Sequence, residues 1–230
     1  MLSSVITLFF PKLCHAWNTV LKDNEIDICV GCRHELPVTN YHFERPEIVK
    51  KIFYGRVQLE AATALFYFHK KGRVQQLLHH LKYQGDEDIG RVFGNWLGAE
   101  LQESPYYESI DVVIPVPIHL KKLKQRGYNQ ATLFAQQIAK VLNVPYVDDV
   151  LLKSVNTKSQ VFQSREARFQ SVSHSFYAQN LNTVDNKHIL LVDDIITTGA
   201  TIEACALVLN PEKKVRLSVA TLAITHSIFR

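Results

Sequence analysis

The chain lacks long apolar runs. Its uninterrupted hydrophobic stretches last only a few residues, far short of the roughly 18 to 20 that a membrane-spanning helix needs, so no membrane span is expected. Cysteine is scarce too. Cys14, Cys29, Cys32 and Cys205 are too few and too unevenly spaced for a disulfide framework in 230 residues, which predicts a cytoplasmic chain. Nine glycines and eight prolines follow no fixed period and no low-complexity tract occurs, which excludes collagen-like, solenoid and linker architectures. There is no strong excess of one charge: 26 Lys and Arg against 22 Asp and Glu leave +4, which permits a polyanionic partner without demanding one. No Lys or Arg precedes the apolar residues 5–10 and Pro11 stops them, so a secretory signal is not expected there. What is present, 47% hydrophobic and 21% charged residues, is enough for a full globular core.

Residues 1–50 hold three of the four cysteines, with His15, His34 and His42, and little periodicity; they read as a small N-terminal module, and residues 51–230 as the main domain. Residues 61–68 predict a strand, and Lys70-Lys71-Gly72 a turn. Val74, Leu77, Leu78 and Leu81 stand at helical spacing, as do Ile89, Val92, Phe93, Trp96 and Leu97, predicting two helices split at Gly85. Residues 111–116 predict a buried strand closed by Pro-Val-Pro and followed by a basic loop. Asn129 is a good N-cap for a helix striped with Phe134, Ile138, Val141 and Leu142; residues 145–152 then predict another strand. A polar excursion, residues 153–179, precedes a tight buried strand at 189–192, a helix at 200–209 and a last strand at 215–224. Strands alternating with helices predict a parallel α/β sheet flanked by helices, with loops after residues 116, 152 and 192 converging on one cleft.

The last of these loops carries the most chemistry. Residues 189–192 run into Asp193-Asp194, then Ile195-Ile196-Thr197-Thr198-Gly199-Ala200-Thr201 and a helix. A strand thereby delivers two carboxylates to its carboxyl end, and a hydroxyl-rich turn opens a helix whose free amides and dipole favour a phosphate. Gly199 allows close backbone approach, and the threonines add hydroxyl donors. A plain acidic turn with a threonine cap is the alternative. No Walker loop or dinucleotide-binding glycine fingerprint occurs.

Residues 190–201, LLVDDIITTGAT, resemble the phosphoribosyl pyrophosphate (PRPP) motif of type I phosphoribosyltransferases. The resemblance implies that Asp193 and Asp194 meet the ribose hydroxyls as the catalytic acid pair, while Thr197, Thr198, Gly199, Ala200 and Thr201 surround the 5-phosphate, with magnesium as cofactor. Three more stretches are similar to the ComF family of competence-associated proteins: HHLKYQG at 79–85, IPVPIHLKKLKQRGYNQ at 114–130, and a polar segment with Thr157, Gln160, Arg165 and Arg168. That similarity runs along nearly the entire chain. It implies a type I phosphoribosyltransferase-like sheet, a flexible loop holding Gln160, Arg165 and Arg168 that closes over the reaction centre, and single-stranded DNA and DNA-uptake or helicase proteins as partners.

Lys121, Lys122, Lys124 and Arg126 lie in one short segment after a strand, where they can neutralise a diphosphate or a nucleic-acid backbone, or simply be solvated. Tyr128 can stack on a base and Lys82 can line the cleft; ordinary packing is the competing reading for both. In the N-terminal module, Cys29-Val30-Gly31-Cys32 is half of a zinc knuckle. The ComF resemblance implies a second C-x-x-C, but here it reads Cys14-His15-Ala16-Trp17, so a closed four-cysteine site is not expected. Either His15, His34 or His42 completes a zinc site with Cys14, Cys29 and Cys32, or the knuckle is degenerate and packed without metal. Cys205 is expected in the core. Two functions follow: phosphoribosyl transfer from Mg-PRPP to an acceptor, or PRPP sensing by a non-enzymatic protein that handles single-stranded DNA.

Overall fold

The alternating apolar segments form a parallel sheet in a computed structural model that describes residues 11–25, 28–83, 85, 87–153, 175–210 and 214–225. Strands β1 (Ala61–Phe68), β2 (Val112–Pro115), β3 (Leu151–Lys153), β4 (Phe176–Ala178), β5 (His188–Ile196) and β6 (Arg216–Thr225) are joined by α1 (Val30–Glu35), α2 (Glu47–Lys50), α3 (Arg73–Tyr83), α4 (Asp88–Gln102), α5 (Leu120–Arg126), α6 (Gln130–Leu142) and α7 (Ala200–Leu209). The main sheet runs β1-β6-β5-β2, all parallel, with Val113 opposite Leu190 and Asp193 opposite Thr221. Strands covered on both faces must be apolar without alternation, and the four residues from Ile189 to Val192 are accordingly all buried.

Helices α4 and α6 pack closely on one side of the sheet because glycine recurs every fourth residue on α4, at 90, 94 and 98. A Cβ at Gly94 would lie 2.6 Å from the Phe134 carbonyl oxygen and 2.7 Å from Gln137 Cβ, so no side chain fits there. The N-terminal residues share this core: Cys14, Ala16, Ile28, Cys32 and Leu36 are buried in one cluster with Leu65, Leu77 and Phe93.

Two expectations need correction. The predicted strand over 145–152 is mostly irregular: residues 145–147 exchange two hydrogen bonds with Val113 at the free edge of β2, and only β3 follows, antiparallel to β4 in a separate pair. Past residue 147 the ladder would need an amide from Pro115 at the end of β2, and proline has none, which cuts the pairing short. The predicted basic loop is the helix α5. His119 caps it by accepting the Lys121 amide at 3.0 Å, and Gly127 ends it in the left-handed conformation at φ 84°, so the local signals were caps rather than periodicity. None of its residues is buried, which is why no apolar stripe announced it.

Candidate functional site

The carboxyl ends of β2 and β5 and the start of α7 create the chemistry. Strand β5 continues through Asp193 and Asp194 to Ile196, so the acid pair is held by the ladder to β6 rather than by a turn. The Asp194 amide donates to Asp193 Oδ1 at 2.8 Å, and Lys82, from the end of α3, pairs with Asp194 Oδ2 at 2.8 Å. Burial and the neighbouring Asp194 carboxylate push Asp193 up to about 8, against the opposing pull of the Asp194 amide, Lys82 and Lys153.

Thr197, Thr198, Gly199, Ala200 and Thr201 form the turn into α7. Gly199 takes φ 80° and is its N-cap, Thr198 Oγ1 accepts the Ala200 amide at 3.4 Å, and Thr225 at the end of β6 donates to the Thr197 carbonyl at 3.2 Å. A Cβ on Gly199 would meet Phe53 Cε1 at 2.9 Å, so glycine is needed for packing as well as for its positive φ. Thr197 and Thr198 are exposed, leaving their hydroxyls accessible beside a helix N-terminus, an arrangement suited to a phosphate. Acid pair and phosphate turn therefore occupy one continuous segment.

Asn129 joins the first loop to the site by donating from Nδ2 to the Val116 carbonyl at 2.9 Å while capping α6. Lys121 and Lys124 are exposed on α5, and Lys122 is close enough to Lys153 to disfavour its charge. Arg126 turns instead to α3, its guanidinium 5.0 Å above the exposed Tyr83 ring. The Tyr128 hydroxyl donates to the Leu81 carbonyl and its ring packs on the core. Gln160, Arg165 and Arg168 lie outside the described residues.

Sequence reasoning missed Lys153. It closes β3, half-buried, with Nζ 4.4 Å from the Phe176 ring centre; burial and Lys122 lower its pKa while Cys205 and Asp193 raise it. A single lysine ending an apolar strand was its only signal. Burial also pushes the Cys205 thiol well up, consistent with its expected core position. The packing of Ile52 and Phe53 under Gly199 was equally invisible in the motif.

A family model described as "Phosphoribosyl transferase domain" matches residues 129–226. Competence protein F of Haemophilus influenzae is 28% identical over 138 residues, and this chain spans only 60% of that relative's length and 58% of its own. Competence protein ComFC of Bacillus subtilis is 25% identical over 222 residues, 90% of this chain and 87% of that one. Residues 129–226 thus match the phosphoribosyl transferase family, and the chain is similar to ComF-type competence proteins. Among solved structures, the glutamine PRPP amidotransferase of B. subtilis aligns with 61% of this chain and 30% of its own, at 21% identity and a TM-score of 0.42.

The cysteine module departs from the four-cysteine pattern that the ComF resemblance implies. Cys14, Cys29 and Cys32 bring their sulfurs within 4.8 Å of one another. Among the described residues no histidine joins them. His42, expected as one replacement ligand, is buried elsewhere, with Nε2 3.0 Å from Glu100 Oε2 and Nδ1 3.3 Å from Thr63 Oγ1. The Cys32 amide lowers the Cys29 thiol to about 7, while burial raises Cys32 to about 12. Trp17, at the position of the absent cysteine, is half-exposed under the Arg73 guanidinium, 5.0 Å from its carbon to the ring centre.

Proposed function

We propose that this chain is a phosphoribosyltransferase-like protein of ComF type that binds Mg-PRPP at the carboxyl end of β5 and transfers its phosphoribosyl group to an acceptor, in the context of DNA uptake. The observation that carries the reading is the union of the Asp193–Asp194 pair with the Thr197–Gly199 turn on one segment between β5 and α7. Asp193 and Asp194 face the ribose hydroxyls in this reading, and the amides and hydroxyls of the turn take the 5-phosphate. The donor set fits: two adjacent carboxyl groups, of which Asp193 has no cationic partner at bonding distance among the described residues, suit a substrate that arrives with a hard cation. Magnesium, when bound with the substrate, supplies charge neutralisation on the diphosphate. Lys122 and Lys153 lie where cations favour a departing diphosphate, and the acid pair favours the positive charge that develops on the ribose ring. The division into an N-terminal module, 1–50, and a phosphoribosyltransferase-like domain, 51–230, belongs to this reading, as does a cytoplasmic location.

Calorimetric titration of PRPP with and without Mg²⁺ tests it, on wild type and on Asp193→Asn/Asp194→Asn, followed by pyrophosphate release with candidate acceptors. Mg²⁺-dependent binding that disappears in the variant is expected. No binding at millimolar PRPP overturns the reading.

The second reading, PRPP sensing by a protein that handles single-stranded DNA, is favoured by one specific feature. Tyr83 is 61% exposed and carries Arg126 over its ring, beside exposed Lys121 and Lys124, a combination suited to stacked bases and phosphates. DNA-uptake or helicase proteins are partners in this reading. PRPP binding without pyrophosphate release, together with salt-sensitive binding of an oligonucleotide, selects it over the first.

A further inference from the structure

The end of the sheet opposite the acid pair holds a cavity that neither reading uses. Strands β1 and β6 start side by side there, and the space, about 770 Å³, lies between the chain before β1, the last turn of α7 and the first residues of β6. Its walls are tied to one another. Gly55, at φ 73°, turns the chain after Phe53, and the Glu60 amide donates to the Leu217 carbonyl at 2.8 Å. Asn210, which ends α7, exchanges two hydrogen bonds with the Val215 backbone at 2.8 and 3.1 Å. A cavity held in this way is preformed, and its size is that of small-molecule sites.

The lining carries two chemistries. Val57, Leu59, Ala206 and Leu217 supply apolar surface, while Tyr54 and Leu207 are 56% and 47% exposed beside it. The Tyr54 hydroxyl donates to Glu47, which fixes the ring at the cavity edge. Three cations from three segments, Lys50, Arg56 and Arg216, stand in the lining against one carboxylate, Glu60. Arg56 answers the buried Glu203, whereas the exposed Arg216 donates to the neutral Ser109 hydroxyl at 3.3 Å and Lys50 meets the solvated Glu47 at 3.1 Å. Contacts of that exposed kind are weak and yield readily to an incoming anion. A bare ion would leave the apolar surface in water, and an uncharged ring would give the cations nothing to bind. A phosphate monoester on a flat body answers both, since Arg and Lys pair with phosphate and an aromatic base packs on an aromatic and an aliphatic wall. Gln58, also in the lining, brings an amide able to read the edge of a base.

We propose that this cavity binds a nucleoside monophosphate, its phosphate taken by Arg216 and Lys50 and its base packed on Tyr54 and Leu207. The site stands apart from the carboxyl ends of the strands and does not rest on PRPP binding.

Calorimetry of the full chain with AMP, GMP and UMP tests it. At least one of the three is expected to bind once per chain, with its nucleoside and inorganic phosphate each weaker by about tenfold or more. No binding at millimolar concentration overturns the proposal, and a nucleoside that binds as tightly as its monophosphate overturns the phosphate assignment. Leu207→Trp fills the cavity from an exposed position and must abolish binding, and Arg216→Gln must weaken it about tenfold, whereas Asp193→Asn/Asp194→Asn must leave it unchanged. Binding that survives Leu207→Trp but is lost with the acid pair puts the nucleotide at the carboxyl end of β5; it overturns this proposal and leaves the PRPP reading intact. Should a variant fail to fold, photolabelling of wild type with an azido derivative of the tightest-bound nucleotide decides. Modification must fall within residues 50–60 or 206–217, and labelling elsewhere overturns the site.

Discussion

Two carboxylates ten positions apart, Asp193 at the end of β5 and Glu203 in the first turn of α7, receive opposite treatment. Glu203 is 2% exposed and paired: Arg56 Nη1 reaches Glu203 Oε2 at 2.6 Å, Arg56 Nη2 donates to the Ile52 carbonyl, and the guanidinium lies over the Phe53 ring. Asp193 has no ion partner at bonding distance among the described residues; Lys82 goes to Asp194 instead, and Asp193 rises to about 8. A buried charge that is paired holds the structure together, and one left under-paired marks where a ligand must complete it. The two are linked, because the Ile52–Phe53 segment gripped by Arg56 is also the floor beneath Gly199.

Breaking the matched member of the comparison has the largest expected effect. Arg56→Met strands Glu203 and is expected to cost about 3 kcal/mol in urea denaturation, with partial recovery in Arg56→Met/Glu203→Gln. If the double variant is no more stable than the single, the pair is not what holds α7. A purely steric change sets the scale beside it: Gly94→Ala forces a methyl against the Phe134 carbonyl and is expected to lose about 2 kcal/mol in the same measurement. A loss below a few tenths there would mean that α4 and α6 separate readily.

Much of the fold was legible because parallel strands and amphipathic helices write themselves in apolar spacing: β1, α3, α4, α6, α7 and β6 fall where that spacing places them, while β5 starts as expected but runs on to Ile196, four residues beyond the expected end at 192. What was not legible had other causes. α5 is held by a histidine cap and a C-terminal glycine on a helix with no buried residue, and Pro115 on β2 offers no amide to carry the pairing of an otherwise strand-like run beyond residue 147. At the site, the acid pair and threonine turn were readable because they are contiguous. Lys153, Phe53 and Arg56 were not, since they reach the same place from strands and turns far away in sequence.

Disturbing the under-paired member should act in the opposite direction on stability. A carboxyl with a folded-state pKa near 8 binds more protons folded than unfolded, where its value is about 4, so its ionisation erodes stability as pH rises between those values. Asp193→Asn removes that penalty. Its melting temperature is expected to exceed that of wild type by a few degrees at pH 8 and to match it near pH 4, while PRPP binding is lost. A variant no more stable at pH 8 than at pH 4, relative to wild type, would contradict the account of Asp193.

Lys82→Met is the smallest and most selective perturbation. Its pair with Asp194 is partly solvated, so the stability cost should stay below about 1 kcal/mol. Its charge nevertheless helps hold Asp193 down, and without it the carboxyl rises further above neutrality. If PRPP requires the ionised form, binding to wild type strengthens as pH climbs through about 8, and in Lys82→Met the same rise must be displaced to higher pH. Titrations from pH 6.5 to 9 separate this from a simple lost contact, which would weaken binding equally at every pH. A uniform loss would assign Lys82 to the substrate itself; a displaced profile would assign it to tuning the acid pair, leaving Asp193 as the group whose incomplete pairing the ligand relieves.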